Sequence, residues 1–329
     1  MHLVRIPDDL ACALVTQPDA SPTASVSATT RPQRRLGIQL PEVERVVPWP
    51  EYRTLAVTAE ECGFDSIWLG DHLLYRGGDR PEAGPWEAWT MLAALAVATQ
   101  RVTLGPLVAC LGFHPPAVLA KMAATIDHLS GGRFVLGLGA GWNRPEFDAY
   151  GIPFDHRVDR FAEGYHVVQA LVTGQRVSLD GTYVQVDDSV LHPPLDRPVP
   201  LMVGSNGPRV LELTLPTVDI WNTWFSEFGN HADGFAVRNE AVSRSADSVG
   251  RDPATVQRSA CVLVITDHES DERATPTEGV TPIDGSPTQI AAAIDELYQA
   301  GADEVIVVVG PIDERSIRTL AETVAILRK

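Results

Sequence analysis

Residues 131–151 read GGRFVLGLGAGWNRPEFDAYG, and the reading of the whole chain turns on this stretch. Gly131-Gly132-Arg133 is a turn, and Phe134 to Leu138 is an apolar run suited to a strand buried on both faces. The run breaks into Gly139-Ala140-Gly141, with Trp142, Asn143 and Glu146 close behind. Glycines at the carboxyl end of a strand let the main chain approach a flat ligand, because no Cβ stands between them. Alone, such a GxGxG is equally compatible with an ordinary turn before a helix. Its weight comes from recurrence, since similar strand ends appear along the chain.

Working outward, short apolar runs alternate with amphipathic stretches. Strands are predicted at 36–40, 65–69, 102–108, 134–139, 201–204, 219–222, 261–266 and 304–309, with helices at 50–62, 86–99, 115–129, 157–173, 208–215, 288–300 and 314–327. Pro106 cannot donate to a ladder and marks a bulge in the third strand. Between 174 and 200, two strand-like runs at 176–179 and 182–186 flank Asp180-Gly181, a hairpin signal. Eight strands alternating with helices predict an α/β protein, a (β/α)8 TIM barrel with a hairpin-containing insertion after strand 4. A doubly wound sheet would more often place GxGxxG after its first strand, where this chain has Pro41 and Glu42.

Composition narrows the partners. A 44% hydrophobic and 21% charged chain is that of a globular protein with a large core. The net charge of −17 argues against a nucleic-acid partner, which needs a basic surface. Cys12, Cys62, Cys110 and Cys261 are far apart and form no CxxC, so neither a disulfide framework nor a metal site is expected, and reduced thiols in the cytoplasm are. Residues 1–35 are expected to be a disordered extension, because the Pro, Ser, Ala and Thr of 17–35 bury little apolar surface. Leu10 to Val15 is too short to span a membrane, and the body from 36 to 329 is expected to be one domain.

In a barrel, the polar and glycine-rich strand ends meet at one mouth. They are Asp71-His72, the segment from Leu107 to Gly112, Gly139 to Trp142, Gly204-Ser205-Asn206-Gly207 and Asn222-Thr223. Gly204 to Gly207 enters a helix at Pro208, an arrangement whose amides can cradle a phosphate. His72 is the one histidine predicted at a strand's carboxyl end, where it can hydrogen bond or shuttle a proton. His114, His128 and His156 fall on loops or helix ends. The first strand carries no HxH, and the chain holds neither GxSxG nor GxxxxGKS, which disfavours metal-dependent hydrolase, serine hydrolase and nucleoside triphosphatase readings. Trp68, Trp221 and Trp224 are expected in the core or rim, and Trp142, directly after the glycines, against a ligand.

With these residues assembled, the body from Leu36 onward resembles the luciferase-like monooxygenase superfamily, in particular its branch using the deazaflavin F420. The resemblance rests on AEECGFDSIWLGDHLL (59–74), LAKMAATIDHLSGGRFVLGLGAGWNRPEFDAYGIPF (119–154), LMVGSNGPRVLEL (201–213) and GSPTQIAAAIDEL (285–297). It implies a non-prolyl cis peptide at Leu107-Val108 behind a cofactor ring. It implies that Asp71 with His72, Gly139, Ala140, Gly141 and Trp142 meet the ring, and that Gly204, Ser205, Asn206 and Gly207 hold phosphate. Several F420 enzymes carry a carboxylate where Trp142 stands, so His72 and Glu146 remain as acid–base candidates.

The function expected is hydride transfer between F420 and a small organic substrate, with His72 catalytic, and with 73–84 and 174–200 shaping the substrate pocket. The runner-up is an FMN-dependent monooxygenase. A third reading is a non-catalytic flavin-binding barrel or partner subunit. Arg209, Arg144 and Lys121 are candidate counterions for an anionic tail. Neither nucleic acid nor membrane is expected as a partner, while a homodimer is compatible with all three readings.

Overall fold

The computed structural model describes residues 34–76, 81–269 and 280–329. Strand β1 (Arg35–Gln39) leads through helix α1 (Trp49–Glu61) to β2 (Ser66–Leu69), and α2 (Ala88–Ala98) leads to β3 (Thr103–Pro106) and β4 (Ala109–Cys110). After α3 (Pro116–Ser130) come β5 (Leu136–Gly139), α4 (Arg144–Ala149) and α5 (Arg157–Val172). A hairpin of β6 (Val177–Asp180) and β7 (Gln185–Ser189) precedes β8 (Leu201–Gly204), α6 (Pro208–Thr214) and β9 (Ile220–Thr223). The chain ends with α7 (Phe225–Phe228), α8 (Ala232–Ser248), β10 (Gln257–Ile265), α9 (Pro287–Gln299), β11 (Glu304–Gly310) and α10 (Glu314–Leu327).

Nine of these strands form one parallel sheet in the order β3-β2-β1-β11-β10-β9-β8-β5-β4. Its two end members, β3 and β4, are halves of a single strand interrupted at Leu107-Val108, whose peptide is cis, at the bond the resemblance implied. At the seam Leu104 bridges Phe134, with Leu104 N donating to Arg133 O at 3.0 Å and Val135 N to Leu104 O at 2.9 Å. The sheet thus closes into the expected eight-stave barrel, and the hairpin lies between α5 and the fifth stave.

The Gly131-Gly132-Arg133 turn has a physical explanation. Gly131 ends α3 at φ 69°, and Gly132 continues at φ 83°, left-handed conformations that glycine adopts without a Cβ penalty. Arg133 then reaches back to the end of α2, donating to Ala96 O at 2.7 Å, Thr99 O at 3.0 Å, Val102 O at 2.7 Å and Thr99 Oγ1 at 3.1 Å. One guanidinium thereby satisfies terminal carbonyls that no helical amide reaches. Glu60 does the opposite job nearby, accepting from the amides of Gln100, Arg101 and Val102 and so fixing the turn into β3.

Several boundaries differ from the sequence expectation. Arg35 opens β1 and Arg34 pairs with Asp295, so these two residues belong to the barrel, because β11 and α9 supply partners that lie far along the chain. The remainder of the expected extension, 1–33, lies outside the described residues, as do 77–80 of the expected pocket loop. The hairpin loop spans 181–184 instead of turning on Asp180-Gly181, with Asp180 opposite Gln185. Glu163 of α5 accepts from the amides of Thr182, Tyr183 and Val184 at 2.9, 2.7 and 2.8 Å, which satisfies a wider loop than a two-residue turn. Helix α8 has no counterpart among the expected elements, because its sequence, ADGFAVRNEAVSRSADS, buries only Phe235, Val242 and Ala246 and so shows little apolar stripe. The short helices α4 and α7 likewise lie outside the expected elements, each being too brief to carry a helical period. Among the described residues no helix is long and apolar enough to cross a membrane.

Candidate active site

At the mouth, His72 follows β2 and meets Glu146 of α4, with His72 Nδ1 3.0 Å from Oε1 and 3.2 Å from Oε2. Glu146 is only 1% exposed, and it also accepts from Leu73 N at 2.9 Å. An ionised carboxylate offers only acceptors, so Nδ1 carries the proton. Burial works against protonating the ring. The hydrogen bond to Glu146 and the charges of Glu42, Glu146 and Asp71 outweigh it and hold the imidazole above its ordinary value.

The second ring nitrogen faces a cluster that sequence reading left out. His72 Nε2 lies 3.9 Å from Glu42 Oε1, which accepts from Tyr75 Oη at 2.8 Å, while Gln39 Nε2 donates to Glu42 Oε2 at 3.0 Å. Burial first, then the charge of Glu42, pushes the Tyr75 phenol far up, so Tyr75 stays a neutral donor. Tyr75 packs beside His72 with ring centroids 4.6 Å apart, and Trp142 stands edge-on to His72 at 5.7 Å with 65% exposure. Glu42 lies three residues past the end of β1, so a search a few positions beyond each strand end would have found it. Tyr75 has no such signal.

Asp71 ties the ends of two staves together, accepting from Cys110 N at 2.9 Å. Its carboxylate also faces His114 Nε2 at 3.5 Å, and His114 stands edge-on to Trp89. His72 is therefore joined by a second histidine near the strand ends, because the stretch after the cis peptide, Ala109 to Phe113, folds back as a short strand and a 3-10 turn.

The glycines also pack closely against the protein itself. A Cβ on Gly139 would stand 2.8 Å from Val108 Cγ2, and one on Gly204 would stand 2.9 Å from Val108 Cγ1. Gly141, at φ 80°, lies against Cys110 and Phe147. The missing side chains make room for the protein's own Val108 and for loop packing. The Leu107-Val108 bulge, Gly139 and Gly204 are thereby brought into one contact set.

In the loop after β8, Gly207 N donates to Ser205 Oγ at 3.2 Å, and Asn206 Nδ2 donates to Thr223 Oγ1 at 3.1 Å. Trp221 is fully buried, as expected of a core residue, and donates to Ser205 O at 3.0 Å, which fixes the loop from beneath. Of the candidate counterions, Arg209 pairs with Asp159 and Arg144 with Asp148 at 3.4 Å. Lys121 instead donates to the carbonyl of His192. A cavity of about 150 Å³ flanks the mouth, walled by Pro41, Glu42, Arg45, Tyr52 and Trp86. It is small against the roughly 300–1,000 Å³ of typical ligand sites.

A parallel (β/α)8 barrel with a half-buried imidazole held by a buried carboxylate at its carboxyl-end mouth defines a class of enzyme-like scaffold. Residues 23–281 match the luciferase-like monooxygenase family, and the chain belongs to it. An F420-dependent glucose-6-phosphate dehydrogenase of Beutenbergia cavernae is 40% identical over 165 residues, covering 48% of this chain and 47% of that protein. A phthiodiolone/phenolphthiodiolone dimycocerosates ketoreductase of Mycobacterium kansasii is 32% identical over 240 residues, 67% of this chain and 64% of that one. The chain thus matches about half the length of the dehydrogenase relatives. Among solved structures, an F420-dependent secondary alcohol dehydrogenase in complex with an F420-acetone adduct superposes with a TM-score of 0.77 at 19% identity. That match covers 90% of this chain and 100% of that one, and it supports the fold.

Proposed function

We propose that this protein is an F420-dependent oxidoreductase that moves a hydride between the deazaflavin and a small organic substrate at the barrel mouth. The observation that carries the reading is the half-buried His72 held by the buried Glu146 at that mouth, in a chain of this family whose relatives include F420-dependent dehydrogenases. The residues present fit such a cofactor on one further count. Gln39, 2% exposed at the end of β1, keeps its Oε1 without a partner. A buried acceptor left unsatisfied costs about 1–3 kcal/mol, which a ring N–H would recover.

On this reading Asp71, Leu107, Val108, Gly139, Ala140, Gly141 and Trp142 would hold the ring, and Gly204, Ser205, Asn206 and Gly207 its phosphate. When bound, the deazaflavin supplies the ring carbon that gives or accepts the hydride. The chain's own part is protonic and positional. Burial opposes charging the His72 ring, while the hydrogen bond to Glu146 and the nearby carboxylates favour its protonated form, so Nε2 is placed to pass a proton to the substrate, with Glu42 and Tyr75 beside it. The free thiols of Cys62, Cys110 and Cys261 accord with a cytoplasmic setting, with Arg34 to Lys329 acting as one domain, alone or as a homodimer.

Titration of the protein with F420 and with FMN, followed by oxygen uptake of the reduced complex, tests the reading. F420 binding without oxygen uptake is expected, together with loss of turnover in His72→Ala. FMN binding with oxygen uptake would replace it by a monooxygenase, and binding without any turnover by a flavin-binding barrel.

A further inference from the structure

His114 is followed by Pro115 and Pro116, and this order pins its backbone. The residue before a proline is pushed into extended conformations, and His114 sits at φ −130°, ψ 144°. Pro115 caps α3 and Pro116 is its first residue, so the histidine is anchored to a rigid helix start. Its ring is held by two further elements. Trp89 of α2, 2% exposed, meets it edge-on with centroids 5.7 Å apart and packs in turn on Phe134 at 6.2 Å. Asp71, buried just past β2, presents Oδ2 to Nε2 at 3.5 Å.

Two observations separate this contact from ordinary packing. Nε2 of His114 is buried and, among the described residues, has no hydrogen-bond partner, while the charged group it faces is the Asp71 carboxylate. A carboxylate offers acceptors, so the geometry puts the N–H on Nε2. At 3.5 Å the pair lies just beyond the roughly 2.7–3.2 Å of a formed N–H···O bond, and the buried setting strengthens the attraction that remains. The second observation is that the same oxygen, Oδ2, accepts from Cys110 N at 2.9 Å. One carboxylate thus joins the end of β2 to β4 and to the approach to α3. Asp71 directly precedes His72, whose ring faces Glu42 after β1 and Glu146 of α4, with Tyr75 beside it. Burial opposes a proton on that ring, and the hydrogen bond to Glu146 with the charges of Glu42, Glu146 and Asp71 favours it. What acts on Asp71 therefore acts on His72.

We propose that His114 is a positioning residue of the mouth: its Nε2–H holds the Asp71 carboxylate against Cys110 and draws on its charge, and through Asp71 it acts on His72. The inference deepens the proposed function, in which His72 passes a proton, and it is read on the protein without cofactor so that the two fail separately.

The test compares wild type with His114→Phe, which keeps a ring for Trp89 and removes the N–H, and with His114→Gln, whose amide restores a donor near the place of Nε2. Thermal melts check the fold of each, and the His72 imidazole is titrated by NMR in each. With no N–H drawing on the Asp71 charge, that charge falls more fully on His72. The expected result is a His72 midpoint displaced to higher pH in His114→Phe and returned toward wild type in His114→Gln. Made in an Asp71→Asn background, His114→Phe should leave the midpoint where Asp71→Asn alone puts it. Should His114→Phe not fold, His114→Asn, whose shorter amide falls short of Asp71, takes its place. An unmoved midpoint in the folded variant, a shift to lower pH, an equal shift in His114→Gln, or a shift that persists without the Asp71 charge would each overturn the inference and leave the cofactor reading intact. Titration with F420 is a separate measurement: a wild type that binds none would fail the cofactor reading, whatever His72 does.

Discussion

Nδ1 of His72 lies 3.0 Å from Oε1 of Glu146, a carboxylate 74 positions further along the chain. Glu146 also receives the amide of Leu73, so one buried side chain holds both the imidazole and the loop that carries it. Replacing Glu146 by Gln keeps the shape and removes the charge. The His72 pKa is then expected to fall, since the hydrogen bond and the charge of Glu146 are among the causes that hold it up against burial. An NMR titration of the imidazole reads this directly, and an unmoved His72 would refute the pairing.

The same raised pKa makes a stability prediction with a definite sign. A group whose folded value exceeds its unfolded value stabilises fully below the unfolded value, and that contribution is lost as pH rises through the folded value. Wild type should therefore lose part of its stability advantage over His72→Ala as pH rises from the unfolded imidazole value through the raised folded one, as measured by urea melts across a pH series.

Glu60 predicts the reverse limb. Burial alone would raise its pKa, but hydrogen bonds from Arg101, Val102 and Gln100 together lower it below the usual carboxylate range. The stability it adds is present above the unfolded value and is lost as pH falls through the folded one. In acid, Glu60→Gln should approach wild type, whereas at neutral pH it should be less stable.

Arg133 joins the α2 terminus to the strand that follows it through four hydrogen bonds. Arg133→Ala leaves buried carbonyls without donors and should cost about 2–4 kcal/mol. Chemical denaturation measures it, and a loss below about 0.5 kcal/mol, the size of an ordinary surface substitution, would contradict the role assigned.

Val108 and Gly204 form a size-complementary pair. Gly204→Ala would set a methyl 2.9 Å from Val108 Cγ1 but 3.6 Å from its Cβ, an ordinary contact distance. The substitution should cost about 1–3 kcal/mol in wild type, as overpacking does. In a Val108→Ala background the cost should largely vanish, and a double-mutant cycle showing additivity would sink the assignment.

Much of the barrel was legible in the amino-acid order because each stave is buried on both faces. Leu201 to Val203 and Val305 to Val309 have no solvent side to alternate with, so they appear as unbroken apolar runs. The strand-end rule then placed His72, Gly139 and Gly204 together, and a family resemblance placed the Leu107-Val108 cis bond. Helix α8 stayed hidden because three buried residues make no periodic signal. What only the tertiary structure decided is which groups touch. Glu146 is bonded to His72, Glu42 faces its other nitrogen, Val108 fills the space beside the glycines, and Asp71 meets both Cys110 and His114. Each of these contacts joins residues from different staves or loops. Local propensity reports how a segment bends and which face it buries, whereas distances between side chains dozens of positions apart exist only once the sheet has closed.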